Sequence, residues 1–265
     1  MNYNFKQKII DTLLVFLLVM STGGLLFVFN RNLASVSFFI LLSIVIIFFG
    51  KNLQKSLVNS SFLSLIVIIL LAIINYYFAI VEQTLDKYFF YLLTVVLSSL
   101  TLFHFQNNRN KEVFLLRLYF VLRLVTVHAF VNFILFFFVK NNLTLITSTY
   151  HECQTFLNLF FYMPDRGMSN VFGLEFCRNQ GLFWEPGVLQ VFLNILFFME
   201  AFVFKKSKKW LLFTALVILT SYSTTGLALL LIQVVVYLKN EVKNNKFILL
   251  LVLILIVPVY MVFNV

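Results

Sequence analysis

Charge is scarce in this chain. Asp, Glu, Lys and Arg make up 11% of its 265 residues, while 62% are hydrophobic. No polar stretch is long enough to fold as a soluble domain on its own. Alternating apolar and polar patterning is missing, which excludes a membrane β-barrel. Metal-ligand spacing is missing too: His104, His128 and His151 are scattered, and neither CxxC nor HxxxH occurs. GxSxG and phosphate loops are absent. The sequence therefore implies no metal, no nucleotide and no other cofactor. Internal repeats, expected of many transporters, are not evident.

What is present is a series of apolar runs separated by short polar breaks. Their lengths suit a hydrocarbon core of roughly 30 Å at about 1.5 Å per helical residue. The expected fold is all-α, a polytopic transmembrane helical bundle. Spans are expected near 9–29, 34–49, 57–80, 88–105, 113–139, 188–204 and 247–264. The first follows Lys6 and Lys8 as a secretory signal would, but more spans follow it and no cleavage site stands out. The 35 Phe residues suit lipid-facing surface.

The net charge of +10 would suggest nucleic acid if it lay on a soluble domain. Here the basic residues sit between spans and report topology instead, so no nucleic-acid partner is implied. The cluster Lys205, Lys206, Lys208 and Lys209 marks the inside, and alternation from it makes the N-terminus cytoplasmic. Thirteen Lys and Arg then lie inside and five outside, with Arg117 and Arg123 within a span. Residues 140–186 become one large extracytoplasmic loop.

The stretch 210–238 does not fit a simple span, because one crossing would put the basic residues after Leu238 outside. Its polar break "TSYSTTG", Thr220 to Gly226, leaves two apolar pieces of about 15–18 Å each as helices. A re-entrant-like helical hairpin entering from the cytoplasm fits, with Ser221, Ser223, Thr224 and Thr225 at its apex. Backbone broken at membrane depth must face protein or water. A single long tilted helix is the competing arrangement.

In the outer loop, "HECQTFLNLFFYM" (151–163) puts His151, Gln154, Thr155, Asn158 and Tyr162 on one helical face. Phe156, Phe160 and Met163 fall opposite. This predicts an interfacial helix, which either closes the loop or shapes a lateral entrance for a lipid-linked substrate. Pro164 to Gly167 is a turn signal. Cys153 and Cys177 both lie in this loop, where a disulfide is chemically possible, but sequence does not supply their separation.

Arg123 lies deep in its span and requires a partner or a hydrated cavity. It belongs either to a structural polar cluster with His128 and Asn132 or to an anion site for phosphate or pyrophosphate. Glu200 reads as the local counter-charge of the lysine cluster. In "CRNQGLFWEPGVLQVFLN", Cys177 to Asn194, Pro186 suits the first turn of a helix. Glu185 either caps that helix or does chemistry.

Together, "RNQGLFWEPGVLQVFLNILFF", "KKSKKW" and "LTSYSTTGLALLL" resemble the O-antigen ligase and polymerase group of bacterial membrane proteins. Wzy-type polymerases of O-antigen and capsular polysaccharide repeat units are the nearest resemblance. The shared pattern, Arg-x-x-Gly-x-x-x-Glu-Pro before a span, falls on Arg178, Gly181, Glu185 and Pro186, and the likeness covers residues 105–240. It implies glycosyl transfer at the outer face of the inner membrane. The substrate would be an undecaprenyl-pyrophosphate-linked oligosaccharide, and the partners a chain-length regulator and a flippase. Arg178, with Arg123, Arg166 and His128, would bind the pyrophosphate, and Glu185 would position or deprotonate the acceptor. A ligase with a different acceptor, or a lipid-linked oligosaccharide flippase or transporter, are the alternatives. Members of the group continue into a second outer loop where this sequence stops, at Val265, so the resemblance also implies a truncated or split chain whose activity is in question.

Overall fold

The computed structural model describes residues 5–49, 55–80, 84–106, 111–148, 151–171 and 173–241. It is mostly helical, with two small antiparallel sheets between the sixth and eighth helices. Among the described residues, three helices are long and apolar enough to cross a membrane: Arg31–Phe48, Lys111–Val139 and Pro186–Phe204. The span expected at 247–264 lies outside the described residues.

Two compact units divide the chain. The first gathers α1 (Phe5–Met20), α3 (Arg31–Phe49), α4 (Lys55–Phe78), α5 (Leu85–His104) and the start of α6 (Lys111–Val139). Leu14 and Val15 of α1, Phe38, Leu42 and Val45 of α3 and Leu97 of α5 are buried in it. Polar contacts are few: Asn75 donates to the Tyr88 hydroxyl at 2.9 Å, and Arg31 lies over the Phe90 ring.

The expected span 9–29 is not one helix. Ser21 and Thr22 turn their hydroxyls back onto the carbonyls of Leu18 and Val19, and Gly23 takes φ +126°, so α1 stops. The chain resumes as α2 (Leu25–Phe29), which belongs to the second unit. A β-bridge joins Gly24 to Phe183 there, and Leu25 N–H donates to Leu182 O at 2.8 Å. A hydroxyl that bonds its own preceding turn competes with the helix ladder, and glycine supplies the positive φ.

The second unit holds the rest of α6, both sheets and the last helices. Here the interfacial helix expected at 151–163 is corrected. The segment forms β2 (Glu152–Phe156) and β3 (Phe160–Tyr162), paired with each other and with β1 (Thr144–Thr147) in the order β1-β2-β3. Cys153 and Thr155 are buried while Glu152 is exposed and Gln154 half-buried, the period of a strand. Leu157 and Asn158 adopt φ +57° and +54°, turning the chain where a helix would continue. The Thr155 hydroxyl donates to Phe160 O across that turn. A short helix α7 (Pro164–Gly167) follows, as the turn signal suggests, and then the hairpin β4 (Met168–Val171) and β5 (Leu174–Cys177).

α8 (Pro186–Phe198) continues as a π-helical turn, Met199–Phe204. The stretch expected to break does so. α9 (Lys208–Ser221) ends at Tyr222 in the left-handed region, and α10 (Thr224–Glu241) begins two residues later. One long helix over 210–238 is thereby excluded. At 14 and 18 residues, the two helices are longer than the apolar pieces alone, because each takes in the lysines at its outer end.

Their directions follow from contacts along α8. Thr220, at the end of α9, bonds Asn179 shortly before α8 begins, whereas the start of α9 lies at the far end of α8. α10 runs back alongside α8: Gly226 meets Asn194, and the Tyr237 ring meets that of Phe202. α8, α9 and α10 pack on one another, and Leu189, Leu193 and Phe197 of α8, Leu211, Ala215 and Ile218 of α9 and Leu227, Leu230 and Val234 of α10 are all buried. In lipid such packing rests on close fit and internal polar contacts, because hydrocarbon gives no hydrophobic drive between helices.

Candidate functional site

The segment 178–185 is held by its neighbours on several sides. Asn179 is its fixed point, with 2% of its surface exposed. Its backbone N–H donates to Thr220 O at 3.0 Å. Its amide nitrogen donates to Ala129 O at 2.7 Å and to the Thr220 hydroxyl at 2.9 Å. Its oxygen accepts from Gly181 N–H at 3.1 Å and from the Asn132 amide at 3.2 Å. One side chain thus ties the loop to α6 and to the end of α9.

Gly181 takes φ +56°, and a Cβ there would sit 3.2 Å from Leu189 and 3.4 Å from Ala129, between α8 and α6. Glycine is required by both conformation and space. Trp184 donates its backbone N–H to Gly23 O at 3.0 Å, and its ring fills the place a Gly23 side chain would occupy. The His151 ring lies beside it.

Arg178 is anchored by its backbone, whose N–H donates to Gly167 O at 2.7 Å. Its side chain is half-buried, and Nε is buried with no hydrogen-bond partner. Glu185 occupies the N-cap position of α8 in extended conformation, yet its side chain makes no capping hydrogen bond. The carboxylate instead lies over Gly187. The capping role open to Glu185 from sequence is therefore not filled by its side chain. Among the described residues, neither Arg178 nor Glu185 forms a salt bridge. A cation and a carboxylate, both uncommitted, flank one rigid loop.

Two of the other expected anion ligands, Arg123 and His128, have partners within the protein. Arg123 pairs with Glu200 at 3.2 Å, and its guanidinium lies 4.0 Å from the centre of the Trp210 ring. Glu200 reaches beyond the lysine cluster: its side chain is fully buried and faces Arg123, 26% exposed, from the π-helical turn. The extra residue of a π turn rotates the side chains that follow, and such turns recur where one must be aimed. Beside it a cavity of about 140 Å³ is lined by Glu200, Lys205, Ser207, Lys208 and Tyr237.

His128 is held by the outer loop. Its Nε2 hydrogen-bonds Leu159 O at 2.9 Å, and its ring stacks on Phe160. One helical turn on, Asn132 donates to Phe161 O and accepts from Phe161 N–H, and the Tyr162 hydroxyl donates to Asn132 O at 3.0 Å. This face of α6 grips the β2–β3 turn. Arg166 lies in α7, on the loop that carries the Gly167 carbonyl to Arg178.

The disulfide left open by the sequence is not formed. Cys153 and Cys177 are free, buried thiols. Cys153 lies opposite Ile146 in the first sheet, whereas Cys177 ends the second and packs with Phe136, Val139 and Tyr162. Burial pushes the Cys153 thiol up to about 12. It pushes Cys177 up to about 11, against smaller opposing effects from a backbone hydrogen bond with Met163 and from Arg178. Tyr162 is raised by burial and then by Cys177.

At the helix break, Ser221 is buried and bonds back to Ile218 O, Ser223 is buried, and Thr224 and Thr225 are exposed. Thr220, one residue before the expected apex set, is the one that reaches the loop. Asn179, Gln190 and Asn194 escaped the sequence reading, and Thr220 and Gly226 entered it only as the ends of the polar break. For Asn179, Gln190 and Asn194 the signal was a side-chain amide at a position that apolar residues would otherwise fill. Among the described residues, no group of three or more His, Cys, Asp or Glu is placed to hold a metal ion. No protein-family model, curated protein or solved structure matches the chain.

Proposed function

We propose that the chain is a membrane-embedded glycosyltransferase that polymerises lipid-linked oligosaccharide repeat units, as its Arg178–Pro186 pattern implies. Arg178 carries the reading: a half-buried guanidinium without an internal counter-ion, on a segment that Asn179 immobilises. Such a group suits a pyrophosphate oxygen, which a guanidinium binds through paired N–H donors. In the reaction, a hydroxyl of the acceptor sugar attacks the anomeric carbon of the donor chain. The bond from that carbon to the undecaprenyl pyrophosphate breaks, and the pyrophosphate leaves with the electron pair toward Arg178. The hydroxyl proton passes to the Glu185 carboxylate, which neither caps α8 nor forms an ion pair.

In this reading the helices form a polytopic bundle in the inner membrane of a bacterium, with a cytoplasmic N-terminus. Residues 140–186 face outward, and α9 and α10 enter and leave from the cytoplasm around the break at Tyr222. The lysines beside the cavity at Glu200 then lie at the inner surface. Supporting this orientation, the uncommitted Arg178 and Glu185 share the loop end of the second unit, while Arg123 is spent on Glu200 at the opposite end of α8.

The test is the glycan length ladder of cells lacking the gene. Complementation with the parent sequence should restore it, while Arg178→Ala or Glu185→Gln should leave single repeat units. A full ladder with either variant, expressed at the parent level, would remove that residue from the chemistry.

A further inference from the structure

We propose that water occupies the interior between α8 and α10, immediately below the helix break, bound by the side-chain oxygens of Gln190, Asn194 and Gln233. Gln190 and Asn194 are 2% and 3% exposed. Their side-chain nitrogens and oxygens are unequally used. The Asn194 amide nitrogen donates to Gln190 O at 2.9 Å and Gly226 O at 3.3 Å, and that of Gln233 donates to Asn194 O at 3.4 Å. The three amide oxygens, Gln190 Oε1, Asn194 Oδ1 and Gln233 Oε1, are buried and accept nothing from the protein. Gln190 lies against α10 at Gly226, in space that any Cβ there would occupy, so its oxygen is brought to the start of that helix.

Three unsatisfied acceptors within one helix pair are costly in an apolar surrounding. They call for an occupant that donates hydrogen bonds. Gly226, the buried residue of the first turn of α10, has an N–H with no acceptor within its own helix, which asks the same occupant to accept. A molecule that both donates and accepts, and is small enough for so buried a place, is water, which typically takes two to four polar partners. A cation fits less well. The cluster has no carboxylate, and the N-terminal end of α10 carries the positive end of the helix dipole. The site does not depend on the glycosyl-transfer reading.

Radiolytic labelling of the full chain in lipid nanodiscs, read by mass spectrometry after mixing into ¹⁸O water, tests this directly. Bound water should label the buried Leu193, Leu227 and Leu230, with the ¹⁸O entering more slowly than at exposed residues. The Asn194→Leu variant should lose that label severalfold. Labelling no higher than at Leu14 and Val15, buried in the first unit, would overturn the proposal. Thermal unfolding gives a second criterion. Gln190→Leu should lower the midpoint if its oxygen is hydrated, and a raised midpoint would mean that a dry, unpaired oxygen had been removed. Stabilisation of the parent protein by sodium over choline chloride, lost in Gln190→Leu, would mark a cation site and also overturn it.

Discussion

Replacing Asn179 by alanine should loosen the second unit more than any other single truncation in the outer loop. The side chain makes four hydrogen bonds: to Ala129 O and Thr220 Oγ1, and from Gly181 N–H and the Asn132 amide. At about 1 kcal/mol net for each intramolecular bond, the ceiling is about 4 kcal/mol. The partners do not suffer equally. Thr220 still donates to Val217 O, and the Asn132 amide keeps Phe161 O. The buried Gly181 N–H loses its acceptor outright, and such an orphan alone costs about 1–3 kcal/mol. The expected loss is therefore about 2–4 kcal/mol. Reversible unfolding in mixed micelles, titrated with a denaturing detergent and followed by tryptophan emission, would measure it. Both tryptophans of the chain, Trp184 and Trp210, belong to this unit, so emission reports on it selectively. Asn179→Leu should cost about as much, since it restores volume but no polar contact. A change within about 0.5 kcal/mol, the range of an ordinary surface substitution, would refute the polar anchor.

Gly226→Ala should destabilise by about 1–3 kcal/mol because its methyl would land on the Gln190 amide, and adding Gln190→Ala should recover most of that loss in the same unfolding assay. Truncating Arg123 to methionine should cost about 3 kcal/mol by removing the cation 3.2 Å from the fully buried Glu200 carboxylate, whereas Arg123→Met with Glu200→Met should cost clearly less; equal losses would discount the pair. Cys153 and Cys177 should resist maleimide in the folded protein at pH 8 and react once it is unfolded, because burial holds both as thiols. Their folded values lie above the ordinary 9.0, so their contribution to stability is complete below pH 9 and is lost as pH rises through about 11 and 12; pH-dependent unfolding checks the sign.

The helices were legible because a long apolar run carries its own signature, and the break at Thr220 to Gly226 because hydroxyls and glycine interrupt it. The β2–β3 hairpin was not. In a short segment with a polar residue every third or fourth position, helical and strand periods overlap. The deciding features, left-handed Leu157 and Asn158 and the grip of His128 and Asn132 on the turn, are conformational and tertiary. The pairing of Arg123 with Glu200 was hidden for a related reason. Depth in the span showed that Arg123 needed a partner, but the π turn that aims Glu200 inward has no pattern of its own. Arg178 and Glu185 were singled out by motif and remain uncommitted in the structure, and the anchor between them and α6, Asn179, looked like an ordinary loop residue.

The central claim, glycosyl transfer that depends on Arg178, is tested most directly with purified protein in nanodiscs. The substrate would be undecaprenyl-pyrophosphate-linked repeat units extracted from cells that lack the gene. The parent protein should convert them into a ladder of longer lipid-linked chains with no added metal or nucleotide, and Arg178→Ala, folded by its tryptophan emission, should leave the single units unchanged. A parent protein that yields no longer chains, or an Arg178→Ala variant that yields the same ladder, would contradict the account.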